Sequence, residues 1–499
     1  MKGGLRRHDF INLKMDGDHE VDCTTARLQT TDWRLEQKHK ASTGFCLWSL
    51  VCCLLFLGRE HCRLWPMPSL FRQIKKTYGM AQPHERKTVL RNFASLSALQ
   101  ALTYVLPVLI LPYLFRVIGP SKFGLIAFAQ AFVQYFMILT DYGFSVSATK
   151  EISLCQHDRA EVNKVFSSVM MVKTLLALLS LALLACVVYF IPKFRVDWPV
   201  YVLSFGAVLG NTLFPVWFFQ GTEKMKYIAD LNIAGGVLTV LAIFFTVHGP
   251  KDYLMVPLIT SSLSVITGLW GQYIVFNHLG VSFRFPGYTS LRRQVTAGWD
   301  IFISLVAINA YTTTRIFAVG LLTSNATTGF YSVAEKLAGL CQTFPLASFS
   351  QALFPRLSKI FQKSKSRAYE FMERIQLITI NISLICLPVI FVFARPIIKA
   401  IFGGDYEKTV LSFRLLLVAV LFISSNAFRV QFLLIAGKTQ IYSRIHVVMA
   451  MIGLPVIFLL IDSFSYVGAA IATIVIEAGI FTITYGTVQR LRSSWSRVS

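Results

Sequence analysis

The chain between residues 93 and 488 is a succession of long apolar runs separated by short polar links. Each run has roughly 17–27 residues, close to the roughly 20 that an α-helix needs to cross a bilayer. The runs are continuously apolar and do not alternate, so they predict helices and not barrel strands. No polar segment within this stretch is long enough for a soluble domain. The pattern therefore predicts an all-α integral membrane protein.

About twelve transmembrane helices are expected from these runs. The least regular run is 123–146, because Asp141 and two glycines interrupt it. The predicted spans are 93–115, 123–146, 165–191, 200–219, 228–247, 254–277, 301–322, 331–354, 375–394, 411–435, 445–463 and 465–488.

The composition agrees with a membrane protein. The chain is 55% hydrophobic with a mean hydropathy of +0.58, and only 15% of its residues are charged, against about 25% in soluble proteins. The net charge of +23 would favour a nucleic-acid partner in a soluble protein. Here the basic residues lie in the links, which is typical of cytoplasmic loops, so no nucleic-acid partner is expected.

The links alternate in charge along the chain. If the bundle begins on side one, the side-one links and tail hold about 22 Lys and Arg residues and the side-two links about 9. Cytoplasmic loops collect basic residues, so side one is predicted to be cytoplasmic, with both ends of the bundle inside. The bias also favours an even number of spans.

A long basic link at 278–300 divides the chain into a first half, 80–277, and a second half, 301–499. Each half is predicted to hold six helices. A faint repeat supports the division, since Phe115–Gly124 (FRVIGPSKFG) precedes a span as Phe317–Gly329 (FAVGLLTSNATTG) does. Internal repeats are typical of transporters that rock one half against the other.

Residues 1–79 form an atypical extension that is polar and of mixed charge, except for an apolar stretch at 44–58. That stretch is about 15 residues long, which is short for a span. One interpretation is an extra membrane element. The other, which we favour, is that these residues are translated from a start codon placed too far upstream, because Met80 and the basic segment after it make an ordinary membrane-protein N-terminus.

A charged side chain at the bilayer centre costs at least about 2.5–3.5 kcal/mol, so each one within a span needs a reason. Arg315 follows Tyr311 and three threonines, a pattern that indicates the wall of a wet cavity. A guanidinium stays charged and grips phosphate with two hydrogen bonds, so Arg315 and Tyr311 are candidate contacts for an anionic head group. The alternative is a structural arginine, tied to helix carbonyls or to an acid on a neighbouring helix.

Two further cations are candidates for the same substrate. Arg429 lies in the side-one half of its span, and Lys173 lies about 8 residues into its own. Either side chain can line the cavity, or extend to the membrane surface while its stem stays in lipid.

Three acids are candidates for ion coupling. Glu477 is central in the last span with no basic neighbour in sequence, and it either carries a coupling proton or pairs with a cation on another helix. Glu335 is adjacent to Lys336, and neighbours in sequence do not share a helix face, so they need not pair. Asp141 lies near a span end, where a turn role is the alternative. The coupling ion is expected to be H⁺ or Na⁺, with no cofactor, metal site or catalytic residue.

Several segments resemble the O-antigen flippases, a family of polysaccharide exporters. They are Leu106–Gly124 (LPVLILPYLFRVIGPSKFG), Ala127–Tyr135 (AFAQAFVQY), Leu139–Ser153 (LTDYGFSVSATKEIS), Pro215–Tyr227 (PVWFFQGTEKMKY) and Ser350–Ser358 (SQALFPRLS). The likeness covers about residues 86–490.

This resemblance implies a bundle of twelve helices in two lobes around a central cavity, as in the multidrug/oligosaccharidyl-lipid/polysaccharide exporter superfamily. It implies a flippase that moves an undecaprenyl-diphosphate-linked oligosaccharide across the bacterial inner membrane by alternating access, for O-antigen or other surface polysaccharides. Arg315 stands where the family tends to place a cavity arginine. Other polysaccharide assembly proteins are expected partners.

Two other functions are weighed against this one. A multidrug exporter of the same superfamily would favour acids, and not Arg315 and Lys173, in its cavity. A membrane glycan polymerase or ligase generally needs a sizeable loop outside the membrane, whereas the side-two links are short.

Overall fold

A computed structural model describes residues 109–496, apart from the side chains of 344–352, 355 and 494–496. The extension 1–79 and most of the predicted span 93–115 lie outside the described residues. Between 109 and 496 the regular structure is helical and contains no strand. The prediction of an all-α membrane protein is confirmed.

The helices follow the predicted spans, with short breaks between them. A 3-10 turn, Pro250–Leu254, precedes α9, and a π turn, Ile274–His278, extends it. In chain order the helices are α1 (109–117), α2 (Gly119–Asp141), α3 (Phe144–Cys155), α4 (Arg159–Phe190), α5 (Pro192–Val196), α6 (Trp198–Leu213), α7 (Val216–Gly221), α8 (Met225–Thr246), α9 (Met255–Tyr273), α10 (Tyr288–Thr312), α11 (Thr314–Leu322), α12 (Asn325–Lys363), α13 (Lys365–Val392), α14 (Ala394–Phe402), α15 (Glu407–Ser424), α16 (Ala427–Ile435) and α17 (Thr439–Ser496).

Nine helical stretches within the described residues are long and apolar enough to cross a membrane. The last of them covers two predicted spans, because Ser465 has φ 54° and ψ −135° and breaks α17 between 445–463 and 465–488. Helix α12, of 39 residues, overlaps the predicted span 331–354 without being among the nine. The count of twelve therefore stays a prediction.

The irregular run 123–146 contains a real bend. Helix α2 ends at Asp141, Tyr142 and Gly143 adopt left-handed φ values of 46° and 82°, and α3 begins at Phe144. A Cβ at position 143 would lie 2.8 Å from the Ile301 side chain. Glycine is therefore needed at Gly143 both for the backbone conformation and for the close approach of α10.

The basic link 278–300 and a second long basic link, 355–374, are partly helical. In 278–300 only residues 279–287 are non-helical, and the backbone N–H groups of Ser282 and Arg284 donate to Asn163 and Ser167 on α4. The other link, 355–374, is a helical hairpin that turns at Ser364, whose Oγ accepts from the Arg367 N–H at 3.4 Å as the N-cap of α13.

Helices α2 and α12 cross at backbone contact at their side-two ends. A Cβ on Gly124 would lie 1.7 Å from the carbonyl oxygen of Asn325, and one on Gly329 would lie 2.2 Å from that of Pro120. These are the two glycines at which the repeated segments of the first and second halves end. The crossing therefore joins equivalent helices of the two predicted halves.

Aromatic rings continue this contact towards the membrane interior. Phe128 on α2 is fully buried, and its ring stacks on Phe317 of α11 with centroids 5.3 Å apart. Phe194 and Tyr201 pack on the same ring from the first half. Large buried aromatics each contribute several kcal/mol to packing, so this layer holds α2 against α11.

Candidate substrate and ion-coupling site

The second half contains a cluster of polar side chains at membrane depth. It consists of three pairs of residues four positions apart; two of the pairs lie within a single helix, where this spacing puts both side chains on one face, and the third spans the α10–α11 junction. We call this set the arginine cluster; its members are Tyr311 and Arg315 at the α10–α11 junction, Tyr331 and Glu335 on α12, and Thr473 and Glu477 on α17.

Arg315 is held by partners on three sides. Its Nη2 lies 2.8 Å from Glu335 Oε1, its Nη1 donates to Thr473 Oγ1 at 3.2 Å, and its Nε donates to the carbonyl oxygen of Thr312 at 3.2 Å. The Arg315 and Glu335 side chains are only 13% and 18% exposed, so the pair is largely withdrawn from solvent. Arg315 thus has both of the structural partners foreseen in the alternative interpretation, a helix carbonyl and an acid on a neighbouring helix.

A second, connected group lies on the Tyr311 side of the arginine cluster. The Tyr311 hydroxyl lies 2.9 Å from Nδ1 of the buried His446, and the two rings are nearly parallel, with centroids 6.1 Å apart. Tyr442 also packs against His446, edge-on, with ring centroids 4.3 Å apart. Glu477 interacts electrostatically with both Arg315 and Tyr311. His446 was not foreseen from sequence, where a single histidine in an apolar run carries no signal.

Two buried polar atoms of the arginine cluster, Glu335 Oε2 and the Tyr331 hydroxyl, make no hydrogen bond with a described residue. Glu335 uses Oε1 for Arg315, whereas its Oε2 is buried without a hydrogen bond. A buried carboxylate oxygen left unpaired is costly, so this position favours uptake of a proton or a cation. It is the strongest feature that connects Glu335 with the predicted ion coupling.

The remaining predicted residues lie outside the arginine cluster. Lys173 is 2% exposed and donates from Nζ to the carbonyl oxygen of Asn211 at 3.2 Å, and Asp141 interacts with it electrostatically. Arg429 donates to the Ser425 carbonyl, and its guanidinium lies 5.3 Å and 5.1 Å from the rings of Phe481 and Tyr485. These contacts neither confirm nor contradict the predicted roles of Lys173, Asp141 and Arg429.

A cavity of about 530 Å³, here called the large cavity, lies between helices of the first half and α12 of the second. Most of its wall is apolar and comes from α1, α2, α8 and α9. Among the described residues that line it, Lys336 is the single charged one, and its side chain is exposed. Gln130 and Asn232 line the same space and are exposed as well. The cavity is therefore accessible to a polar ligand.

Glu335 and Lys336 face opposite ways. Glu335 pairs with Arg315 inside the second half, whereas the Lys336 ammonium lies 5.3 Å from the Phe123 ring of α2 and lines the large cavity. Arg315 is not among the residues that line this space. The sequence did not indicate Lys336 as a candidate binding residue, since its adjacency to Glu335 does not reveal which helix face lines the cavity.

A smaller pocket of about 300 Å³ adjoins the large cavity and shares Asn232, Gly236, Thr239 and Thr260 with it. We call it the amide pocket, because Asn211 and Asn232 line it. None of the described residues that line this pocket is charged.

Residues 89–361, more than half of the 499-residue chain, match the family described as polysaccharide biosynthesis protein. The chain belongs to this family. Curated relatives match over most of the chain. One from Escherichia coli K12, named “Putative O-antigen transporter”, is 28% identical over 397 residues, which is 78% of this chain and 93% of that protein. One from Haloferax volcanii, named “Probable low-salt glycan biosynthesis flippase Agl15”, is 24% identical over 375 residues, which is 72% of this chain and 74% of that protein.

Solved structures show the fold to which this family member belongs. The lipid II flippase MurJ in an inward closed conformation superimposes with a TM-score of 0.63 at 12% identity, covering 79% of this chain and 87% of that one. An inward-facing multidrug resistance transporter of the MATE family superimposes with a TM-score of 0.62 at 14% identity, covering 78% of this chain and 96% of that one. The resemblance to O-antigen flippases is confirmed by the family match and the curated relatives, and the solved structures show a shared fold.

Proposed function

We propose that this member of the polysaccharide biosynthesis family is a flippase for lipid-linked oligosaccharides. The substrate would be an undecaprenyl-diphosphate-linked repeat unit, moved across the bacterial inner membrane for O-antigen or another surface polysaccharide. The curated relatives, named for O-antigen transport and for a glycan biosynthesis flippase, support a transporter and not an enzyme. The observation that carries the proposal is the large cavity, where the exposed cation Lys336 faces polar groups at membrane depth.

The chemistry of the large cavity suits such a substrate. A diphosphate and its sugars cannot enter hydrocarbon without losing their hydration, which is prohibitive. Lys336 lies about 17 Å along α12 from its first residue, at a rise of about 1.5 Å per residue, so its charge is available well below the side-two surface. An ammonium there offsets the phosphate charge while the polyprenyl tail remains in lipid. A cationic drug would be repelled by the same group, which disfavours the multidrug alternative.

Contacts at the side-two end support transport by alternating access. Lys193 of the first half donates to the carbonyl oxygens of Gly320 and Leu321, both at 2.6 Å, at the end of α11. The Tyr135 hydroxyl lies 2.7 Å from Thr314 Oγ1. Tyr135 and Thr314 lie deeper in the bundle, whereas the Lys193 bonds and the glycine crossing of α2 and α12 join the halves at side two. We infer that release on that side requires them to break.

The arginine cluster is the proposed site of ion coupling. Protonation of Glu335, or binding of a cation at its unpaired oxygen, weakens its hold on Arg315. The guanidinium, always charged, is then free to take another anion or to approach Glu477. In this scheme H⁺ or Na⁺ acts through the Arg315–Glu335 pair, and Lys336 on the same helix transmits the change to the large cavity.

The role of Lys336 can be tested in a flippase-null bacterial strain. We expect Lys336→Ala to lower surface polysaccharide at least 10-fold at equal protein level, and Lys336→Arg to retain most of it, because only the second keeps the cation. Lys438→Ala, a change at an exposed link lysine, is the matched control and should behave as wild type. Normal polysaccharide with Lys336→Ala would exclude Lys336 as the phosphate contact.

A further inference from the structure

The amide pocket contains polar groups that the protein itself does not use. The side chains of Asn211 on α6, Asn232 on α8 and Ser264 on α9 all line it, and none of the three makes a hydrogen bond with a described residue. In a membrane-spanning bundle unpaired amides and hydroxyls are costly unless water or a ligand satisfies them. Three such groups on three helices facing one pocket therefore indicate a polar occupant.

The threonines of the amide pocket differ from these three residues. The hydroxyls of Thr239, Thr260 and Thr267 donate to carbonyl oxygens one turn earlier in their own helices. Their protons are thus committed, and only their lone pairs face the pocket. The free donors of the amide pocket are the two Asn amides and the Ser264 hydroxyl.

Glycines let these groups converge. A Cβ on Gly210 would lie 2.1 Å from Ser264 Oγ, and one on Gly235 would lie 2.8 Å from Thr267 Oγ1. Larger residues at either position would push α6 and α8 away from α9. The pocket therefore depends on close helix packing that presents the amide and hydroxyl groups at fixed positions.

We infer that the amide pocket is a sugar-binding subsite that takes a neutral sugar of the lipid-linked glycan, an inference that rests on the proposed flippase function. Amides and hydroxyls donate to and accept from sugar hydroxyls, and the lack of a charged lining residue disfavours phosphate. Its volume of about 300 Å³ is at the lower end of ordinary ligand pockets. Asn232, Thr239 and Thr260 line both spaces, so one ligand can place phosphate at Lys336 and a sugar in the amide pocket.

A binding measurement separates the sugar from the rest of the substrate. The probe is the free oligosaccharide repeat unit released from the host's surface polysaccharide, without lipid or phosphate, titrated by calorimetry onto the full-length protein in nanodiscs. We expect Asn232→Ala and Asn211→Ala each to weaken binding at least 10-fold. Asn232→Asp, which keeps the side-chain size, is the second variant and should weaken it too. Asn381→Ala is the control, because its amide donates within its own helix, to the Leu377 carbonyl at 2.9 Å.

Equal affinity in wild type and the pocket variants would overturn the inference, as would the absence of binding to wild type. A flipping assay distinguishes this failure from failure of the proposed function. If wild type flips the complete lipid-linked glycan and Asn232→Ala flips it equally well, the flippase stands and the sugar subsite is wrong. If wild type flips no lipid-linked glycan at all, both the proposed flippase function and the sugar subsite are wrong.

Discussion

At the residue scale the main finding is that Arg315 has a dedicated acidic partner. The ion pair with Glu335 has a short N–O distance of 2.8 Å and little exposure on either side chain. Removing one member of a buried pair leaves an uncompensated charge, at a cost of about 3–5 kcal/mol. A simple loss of activity in Arg315→Ala would therefore not distinguish a structural from a functional role.

A double mutant makes that distinction. We expect Arg315→Ala to lower both the melting temperature and surface polysaccharide, and Arg315→Ala combined with Glu335→Gln to recover much of the melting temperature, because no buried charge is left unpaired. If Arg315 takes part in transport, polysaccharide stays low in the double mutant. Recovery of both quantities together would assign Arg315 a structural role alone.

Four residues of the arginine cluster could be selected from the sequence, but their contacts with one another could not. Tyr311, Arg315, Glu335 and Glu477 were each selected because polar groups in apolar spans are expensive. Their association depends on how α10, α12 and α17 pack, and those helices are far apart in sequence. The unpaired Glu335 oxygen and the bond between Tyr311 and His446 follow from that packing and have no local signal.

At the element scale the α2–α12 crossing brings the backbones of the two halves into direct contact. We expect Gly124→Ala to destabilise the protein by at least about 1–3 kcal/mol, because the new methyl group meets the backbone of Asn325, which cannot rotate away. Gly339→Ala on α12 has no atom within 4 Å of the new Cβ and is the matched control, with unchanged or slightly higher stability. Thermal melting in detergent measures both, and equal melting of the two variants would contradict the crossing.

The turn between α14 and α15 provides a pH-dependent element outside the spans. Hydrogen bonds from Arg395 hold the pKa of Asp405 below its ordinary value. A carboxylate with a lowered pKa stabilises the fold above its unfolded pKa of about 4, and this contribution is lost as the pH falls further. We expect Asp405→Asn to reduce the fall of the melting temperature with pH below about pH 4. The reduction should be small, because the pair is exposed. Arg395→Gln should reduce this pH dependence equally. If the melting temperature of Asp405→Asn varies with pH as that of wild type does, the pair contributes nothing to stability.

The helices themselves were largely predictable from hydropathy, because each must bury its own backbone bonds in lipid. The interruptions at Asp141 and Gly143 were visible in sequence and correspond to the α2–α3 bend. The helix start at Tyr288 and the helical hairpin at Ser364 could not be predicted from the sequence. Amphipathic basic helices outside the apolar runs have the same low hydropathy as loops. Tertiary contacts and caps decide those boundaries.

At the scale of the whole molecule, helix α12 contributes neighbouring residues to two separate sites. The large cavity, with Lys336, is proposed to bind the phosphate, and the arginine cluster, with Glu335, to bind the coupling ion. Because the two residues are adjacent on α12, a shift of that helix changes both sites at once. In the proposed transport cycle, the contacts of α2 with α12 and of Lys193 with α11 would hold the state that is closed at side two.

The most direct test is flipping by the purified full-length protein in lipid vesicles. A fluorescent undecaprenyl-diphosphate oligosaccharide is placed in both leaflets, and its exposure to an added glycosidase is followed over time. We predict that wild-type vesicles expose the inner-leaflet pool at least 10-fold faster than protein-free vesicles, and that Lys336→Ala loses most of this gain while Lys438→Ala keeps it. Exposure at the protein-free rate in wild-type vesicles, with the protein folded and inserted, would contradict the proposed function.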